Sequence, residues 1–274
     1  MRIGVFVLLD GDIDNKFFEL KKEGFDNCQL GVWDMRMYSA GAAAKIKAAQ
    51  RKHGVEITAL WCGYSDPVIW NFREGPSTIG LVPRAYRARR TDELLAGAAF
   101  ARDIGVKDVI THAGFIPESP SDPDYRDLVS ALKYIAGELK RRGQNFLFET
   151  GQETPVTLLR VIGDVDTGNL GINLDPANLI LYGKANPVDA LDIIGKHVRG
   201  VHAKDGEYPL NPYELGEEKP LGCGRVDFEK LLKKLVDMKY GGVITIEREI
   251  SGEQQRKDIR AARIYLQEIL CKIC

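Results

Sequence analysis

The chain has 274 residues, long enough for one large core, and a parallel β/α barrel of this length needs no second domain. Its formal net charge is −1, with 28% charged and 44% hydrophobic residues, which excludes a whole-surface electrostatic grip on nucleic acid or anionic membrane. No apolar run approaches the ~20 residues of a membrane span.

In chain order, the first apolar run is residues 2–9, a buried strand closed by Asp10-Gly11-Asp12. A short amphipathic helix follows to about Glu23, stopped by Gly24. Residues 27–34 form a second strand, residues 40–53 an Ala/Lys-rich helix ended by Gly54, and residues 55–61 a third strand. The rhythm then breaks. Residues 62–90 hold Gly, Pro, Trp70, Phe72 and the basic run Arg84 to Arg90, and a loop of that length is a functional segment or a lid. Thr91 with Asp92 and Glu93 reads as the N-cap of the next helix, which ends near Gly105.

Residues 106–111 form strand four, closed by His112-Ala-Gly114. A Pro-rich loop leads into a helix to about Arg142. Residues 145–148 are strand five, closed by Glu149-Thr150-Gly151, and a helix covers 155–162. Residues 170–174 are strand six, closed by Asp175-Pro-Ala-Asn178, and a helix covers 187–196. Residues 198–203 are strand seven, which runs out into His202, Lys204 and Asp205. A Gly/Pro-rich loop (206–226), a helix (227–239), strand eight (242–246, closed by Glu247) and a last helix (253–273) complete the chain. Strict alternation implies parallel strands with right-handed crossovers, and eight units make a single-domain (β/α)8 TIM barrel over residues 1–274. A doubly wound sheet is the alternative. The absence of G-x-G-x-x-G after the first strand removes its main support.

Parallel barrels bind ligands at the carboxyl ends of their strands. Glu149, Asp175, His202 and Glu247 stand at four successive strand ends, 26, 27 and 45 residues apart, the last interval being one unit plus the long loop. Any one alone reads as a loop residue. Three carboxylates converging without a partner would repel one another, and a divalent cation removes that conflict. Three carboxylates and one imidazole suit Mn2+, Co2+, Zn2+ or Mg2+, with positions left for a substrate. Lys204 is placed to neutralise developing negative charge or pair with a carboxylate, and Asp205 to face a ligand. His112 is placed to hydrogen-bond a substrate oxygen. Trp33, Trp61 and Trp70 are placed either to wall a pocket for a sugar ring or to pack in the core. Arg84, Arg87, Arg89 and Arg90 read as an anion site or, preferably, as a solvated face. His53 and His197, at helix ends, read as solvent-exposed.

The segments Phe-Leu-Phe-Glu149-Thr, Asn-Leu-Asp175-Pro-Ala-Asn178, Val-His202-Ala-Lys204-Asp205, Gly222-Cys-Gly224-Arg-Val226-Asp227-Phe228 and Ile-Thr-Ile-Glu247, extended by His112, resemble the xylose isomerase-like TIM barrel superfamily. That superfamily includes sugar phosphate isomerases and epimerases, ketose 3-epimerases, inosose dehydratase and endonuclease IV. The resemblance implies Glu149, Asp175, His202 and Glu247 as ligands of one divalent metal ion. It implies Glu149 and Glu247 as an acid/base pair acting on opposite faces of a substrate near His112, Asn178, Lys204, Asp205 and Trp61. The implied activity is isomerisation or epimerisation of a small sugar, polyol or sugar phosphate through an enediolate. A dehydratase of the inosose dehydratase type is the alternative. Asn178 stands where much of the family has His. Pro155 and Tyr208 stand where the ketose 3-epimerases carry Glu and Arg, which separates the chain from the well-known enzymes of that kind. Four histidines are too few for the three metals of endonuclease IV. The expected partners are a small carbohydrate and, as with many such relatives, a second copy of the chain, with no nucleic acid and no membrane. Five cysteines with no paired framework and no leader-like segment suggest a reducing cytoplasm, and Cys271-Lys-Ile-Cys274 at a helix end suggests no redox or metal motif.

Overall fold

The computed structural model describes residues 1–273; the second half of the Cys271/Cys274 pair lies outside them. Eight parallel strands close into a barrel: β1 (Arg2–Leu8), β2 (Asn27–Val32), β3 (Glu56–Cys62), β4 (Asp108–Thr111), β5 (Asn145–Glu149), β6 (Leu170–Leu174), β7 (Val198–Ala203) and, after a small ribbon, β10 (Val243–Ile246). Their order around the ring is β1-β10-β7-β6-β5-β4-β3-β2. Closure comes from β1, which pairs with β10 in register from Arg2↔Val243 to Val5↔Ile246 and with β2 on its other edge. The barrel and its single closed ring match the sequence expectation.

Strand side chains alternate between the lumen and the surrounding helices. The outward parity carries the main core: Val5, Leu30, Val109, Phe146, Phe148, Ile172 and Val201, all buried, pack against the helices. The inward parity differs. It holds a small apolar cluster of Ala59, Trp61, Ile110 and Leu147 with Phe6 against it, and a polar layer of Gln29, Asn173 and His202. Gly200 makes that layer possible, since a Cβ there would stand 2.3 Å from Asn173 Oδ1.

The enclosing helices are α1 (Ile13–Lys22), α2 (Ala40–His53), α4 (Arg84–Asp103), α5 (Pro123–Arg141), α6 (Pro155–Val165), α8 (Pro187–Ile194), α9 (Phe228–Asp237) and α10 (Glu253–Ile273). Two short helices were not expected from the sequence: α3 (Gly75–Thr78) inside the long 62–90 segment, and α7 (Pro176–Leu181) directly after β6. A two-stranded ribbon, β8 (Asp205–Gly206) with β9 (Glu218–Lys219), folds the loop after β7.

The start of α4 corrects the sequence reading. Pro83, not Thr91, stands at its N-cap, and Thr91 is buried in mid-helix. The arginines explain the shift. Arg90 is 1% exposed and donates to the carbonyls of Gly80, Ser65 and Pro67, with its guanidinium 4.4 Å from the Tyr64 ring centre. Arg87 donates to the carbonyls of Leu81 and Val82. These two are therefore neither an anion site nor a solvated face. They satisfy the backbone of the preceding loop, whose carbonyls would otherwise be buried without donors. His53 and His197 are also half-buried, not solvent-exposed, and His53 Nε2 stands 2.9 Å from Asp14 Oδ1.

Candidate metal centre and its cavity

Each residue of the predicted cluster occupies the last inward-facing position of its strand or the residue just beyond. Glu149 ends β5, Asp175 follows β6, His202 lies near the end of β7 and Glu247 follows β10. One ligand atom from each lies within 4.8 Å of the others, and Glu149, Asp175 and His202 are buried. His202 Nδ1 faces Glu247 Oε2 at 3.1 Å, Glu149 Oε1 at 3.3 Å and Asp175 Oδ2 at 3.6 Å.

The ring orientation of His202 is set from behind. Its Nε2 stands 2.7 Å from Gln29 Oε1, and Gln29 Nε2 donates in turn to Asn173 Oδ1 at 3.0 Å. An Nε2–H donated to Gln29 leaves the Nδ1 lone pair aimed at three carboxylates. Asp175 is oriented by its helix. Its Oδ1 caps α7 by accepting the Asn178 N–H at 2.9 Å, which turns Oδ2 towards the cluster. Asp175 Oδ2, His202 Nδ1 and Glu247 Oε2 are all buried without a hydrogen-bond donor or acceptor of their own. Buried polar atoms are rarely left so. A divalent cation satisfies all three and cancels the carboxylate repulsion, so the residues present fit the metal expected from the sequence.

The charges follow from this geometry. Burial works against ionisation of Glu247, but Lys204 and His202 hold its carboxyl below the usual range. Burial likewise opposes the imidazolium of His202, and the glutamates Glu247 and Glu149 more than offset it, so the proton that a cation would displace is held tightly. Lys204 Nζ lies 2.8 Å from Glu249 Oε1, 3.5 Å from Glu247 Oε2, 3.6 Å from Asp175 Oδ2 and 3.3 Å from Asn178 Oδ1. It is 2% exposed and serves as a buried counter-charge to the carboxylates, one of the two roles expected of it.

Asp205 is a correction. The sequence places it beside His202 and Lys204, facing a ligand. Parity turns it the other way, and its two oxygens accept the backbone N–H groups of Gly206, Gly222, Gly224 and Val226 at 2.8–3.0 Å. Asp205 is an internal anchor for the loop after β7. Gly224 is required by that arrangement, because a Cβ there would sit 2.2 Å from Asp205 Oδ1.

Above the cluster opens a cavity of about 860 Å3, lined near the ligands by Phe6, Trp33, Trp61, Trp70, His112, Asn178 and Tyr182 and continuing outward between α1 and α10. The three tryptophans form one wall. Trp33 lies 4.9 Å from Trp61 and 6.4 Å from Trp70, centre to centre, and Trp70 lies 5.3 Å from His112. The Trp61 indole N–H donates to Glu149 Oε2, and Asn178 Nδ2 donates to Glu149 Oε1 at 3.4 Å. His112 Nε2 stands 3.8 Å from Glu149 Oε1, and burial holds this imidazole below its ordinary value and hence neutral. Gln29, Asn173 and Glu249 belong to the site or its support and were not picked out from the sequence, nor was the buried Glu153. Glu153 is 2% exposed, neither carboxylate oxygen has a hydrogen-bond partner, and burial pushes it up to about 8.

A closed parallel barrel carries at its C-terminal mouth a carboxylate–imidazole cluster whose four residues could hold a metal ion, beside a cavity open to small molecules. The chain belongs to the xylose isomerase-like TIM barrel family, whose model matches residues 17–269. It is 31% identical over 265 residues to an uncharacterized protein of Methanocaldococcus jannaschii, covering 91% of this chain and 84% of that one. A xylose isomerase domain protein from Planctomyces limnophilus is 34% identical, with a TM-score of 0.93 over 99% of this chain and 98% of that one. The structure of a D-tagatose 3-epimerase-like protein shares the fold at 23% identity, with a TM-score of 0.78 over 100% of this chain and 98% of that one. Among the described residues no helix is long and apolar enough to cross a membrane.

Proposed function

We propose that the chain is a divalent-metal-dependent isomerase or epimerase of a small sugar, polyol or sugar phosphate. One observation carries the reading: Asp175 Oδ2, His202 Nδ1 and Glu247 Oε2 converge, buried and unpartnered, with Glu149 on the floor of an aromatic-walled cavity. Glu149, Asp175, His202 and Glu247 would hold the cation. When bound, it supplies polarisation of a substrate carbonyl, which makes the neighbouring C–H acidic. Glu149 and Glu247 then carry the proton: one carboxylate removes it and the other returns it to the opposite face or the adjacent carbon. Lys204 keeps Glu247 ionised, and the Trp61 N–H fixes the Glu149 carboxylate. Neutral His112 and Asn178 are positioned at the cavity wall to orient substrate oxygens.

The test is turnover of keto-sugars, inososes and their phosphates in D2O with added Mn2+, Co2+ or Mg2+, read by mass spectrometry. An isomerase or epimerase yields product of substrate composition carrying solvent deuterium, whereas a dehydratase yields product lighter by one water. Glu149→Gln and Glu247→Gln each lower kcat about 100-fold or more. A wild-type protein that binds no divalent metal in direct titration overturns the proposal.

A further inference from the structure

We propose that the molecule handled at this site carries a second, uncharged apolar group beside its reacting polyhydroxy unit, and that this group lies in the outer limb of the cavity, between α1 and α10; this rests on the proton-transfer reading above. The course of the cavity and the chemistry of its outer limb carry the proposal.

The cavity touches both faces of a single strand. Side chains of β1 alternate, so Phe6 and Leu8 point into the lumen, while Val5 and Val7 point out towards the helices. All four line the same cavity. The space above the metal ligands therefore passes over the rim of the barrel and down the outer face of β1. The packing of the helices leaves it that path. α1 packs on α2 and α10 packs on α9. α1 and α10 are fastened to each other at their far end, where Arg260 clasps the Glu23 carboxylate at 2.7 and 2.5 Å and Arg263 donates to the Glu23 carbonyl. The limb is thus a wedge, closed at Glu23 and open at the barrel mouth between Asn15 and residues 250–252.

The limb is apolar beneath and balanced in charge above. Its floor and walls are Val5, Val7, Leu20, Phe25 and Ile259, of which Leu20 and Ile259 are half-buried. Its rim sets Asp10, Glu19 and Glu23 against Lys16, Arg256 and Arg260, which sums to no net charge. Lys16 is bonded to Asp10 and to the Leu8 carbonyl. Arg260, with Lys22 and Arg256 behind it, holds the Glu23 carboxyl below its ordinary range. Gln255 donates to the Arg248 carbonyl. A group carrying a net charge gains nothing from such a rim and loses its hydration on such a floor, whereas an uncharged apolar group fits both. Size agrees. The whole cavity, about 860 Å3, stands at the upper end of the roughly 300–1,000 Å3 of pockets that enclose drug-sized ligands. A single sugar unit on the metal ligands leaves the limb empty. Because limb and ligand cluster share one cavity, the occupant that continuity dictates is a group tethered to the reacting unit.

The experiment titrates the full chain with the neutral dye N-phenyl-1-naphthylamine, whose emission rises on entering an apolar site. Expected is saturable binding of one dye per chain, with or without added Mg2+. Phenyl and hexyl β-D-glucopyranoside displace the dye at concentrations at least tenfold below that of methyl β-D-glucopyranoside. A tenfold gain corresponds to about 55 Å2 of apolar surface removed from water, well within the roughly 150 Å2 or more that an aromatic side chain buries. Ser251→Phe, at an exposed position on the lip of the limb, and Ile259→Lys, on its α10 wall, each weaken dye binding at least tenfold. Thermal unfolding checks that both variants are folded. No saturable binding, unchanged binding in either folded variant, or displacement by the methyl compound as effective as by the other two overturns the inference. Dye binding needs neither metal nor turnover, so the two proposals fail separately. A chain that takes dye and conjugates into the limb but transfers no proton sinks the proton-transfer reading alone. Deuterium incorporation into small free sugars by a chain whose limb binds nothing sinks this one alone.

Discussion

Replacing Gln29 by Leu isolates what holds the imidazole of His202. The side chains are of similar size, so the lumen stays filled, but the 2.7 Å bond to His202 Nε2 and the 3.0 Å bond to Asn173 are lost. With a cation on Nδ1, the ring must carry its proton on Nε2, which is then buried with no acceptor. An unsatisfied buried donor costs about 1–3 kcal/mol. Without the cation the imidazolium escapes that cost by releasing its Nε2 proton and keeping the one on Nδ1, which faces Glu247 Oε2 at 3.1 Å. The penalty therefore falls on the metal-bound state. At about 1.4 kcal/mol per decade it weakens divalent metal binding roughly 10–100-fold, the range typical of losing a partner behind a metal ligand. Isothermal titration of Mn2+ or Co2+ into wild-type and Gln29→Leu protein measures this. Thermal unfolding in chelator checks that the variant is folded. A folded variant whose metal affinity lies within twofold of wild type refutes the reasoning.

Three further outcomes follow from buried groups elsewhere. Asp205→Ala strips the acceptor from four backbone N–H groups; even if water reaches some of them, urea unfolding should show a loss of at least about 3 kcal/mol, and a loss under 1 kcal/mol contradicts the anchoring role. Arg90→Lys cannot reach three carbonyls from one ammonium, so the 63–83 segment becomes the first site of limited proteolysis; an unchanged cleavage pattern counts against the role given to the guanidinium. Glu153 is raised from 4.5 to about 8 by burial, so the folded protein binds a proton that the unfolded chain releases. Its contribution is complete below 4.5 and is lost as pH rises towards about 8, at most about 5 kcal/mol over that window. Glu153→Gln flattens the fall in unfolding free energy between pH 5 and 8, and an unaltered slope excludes Glu153 as its source.

What the sequence revealed of this site was its strand ends. Apolar runs of five to seven residues punctuated by Glu149, Asp175, His202 and Glu247 carry both the element type and the place where each element stops. Parity was the unread part. Counting by twos from His202 puts Lys204 on the lumen side and Asp205 on the other, which is where they lie, but the rule holds only while the chain stays extended. Gln29 was hidden for a related reason. A lone Gln in Asn-Cys-Gln-Leu-Gly-Val looks like noise until its strand is known to face β6 and β7 across the lumen. The helical run from Arg84 was masked by its own charges: four arginines in seven residues suggest solvent, and only the fold reveals carbonyls within their reach. The short α7 was masked by Pro176, which ends a strand and opens a helix equally well.

The ring closes through β1 and β10, elements separated by almost the whole chain. Glu247 stands one residue beyond the last of those paired positions, so the fourth ligand acquires its place only when the earliest and latest strands meet. The centre is thus a report of completed closure, not of local order. Contacts of such sequence separation form late and slowly. During folding, metal capture with full affinity should trail the formation of helical signal, and the delay between the two would time the shutting of the barrel.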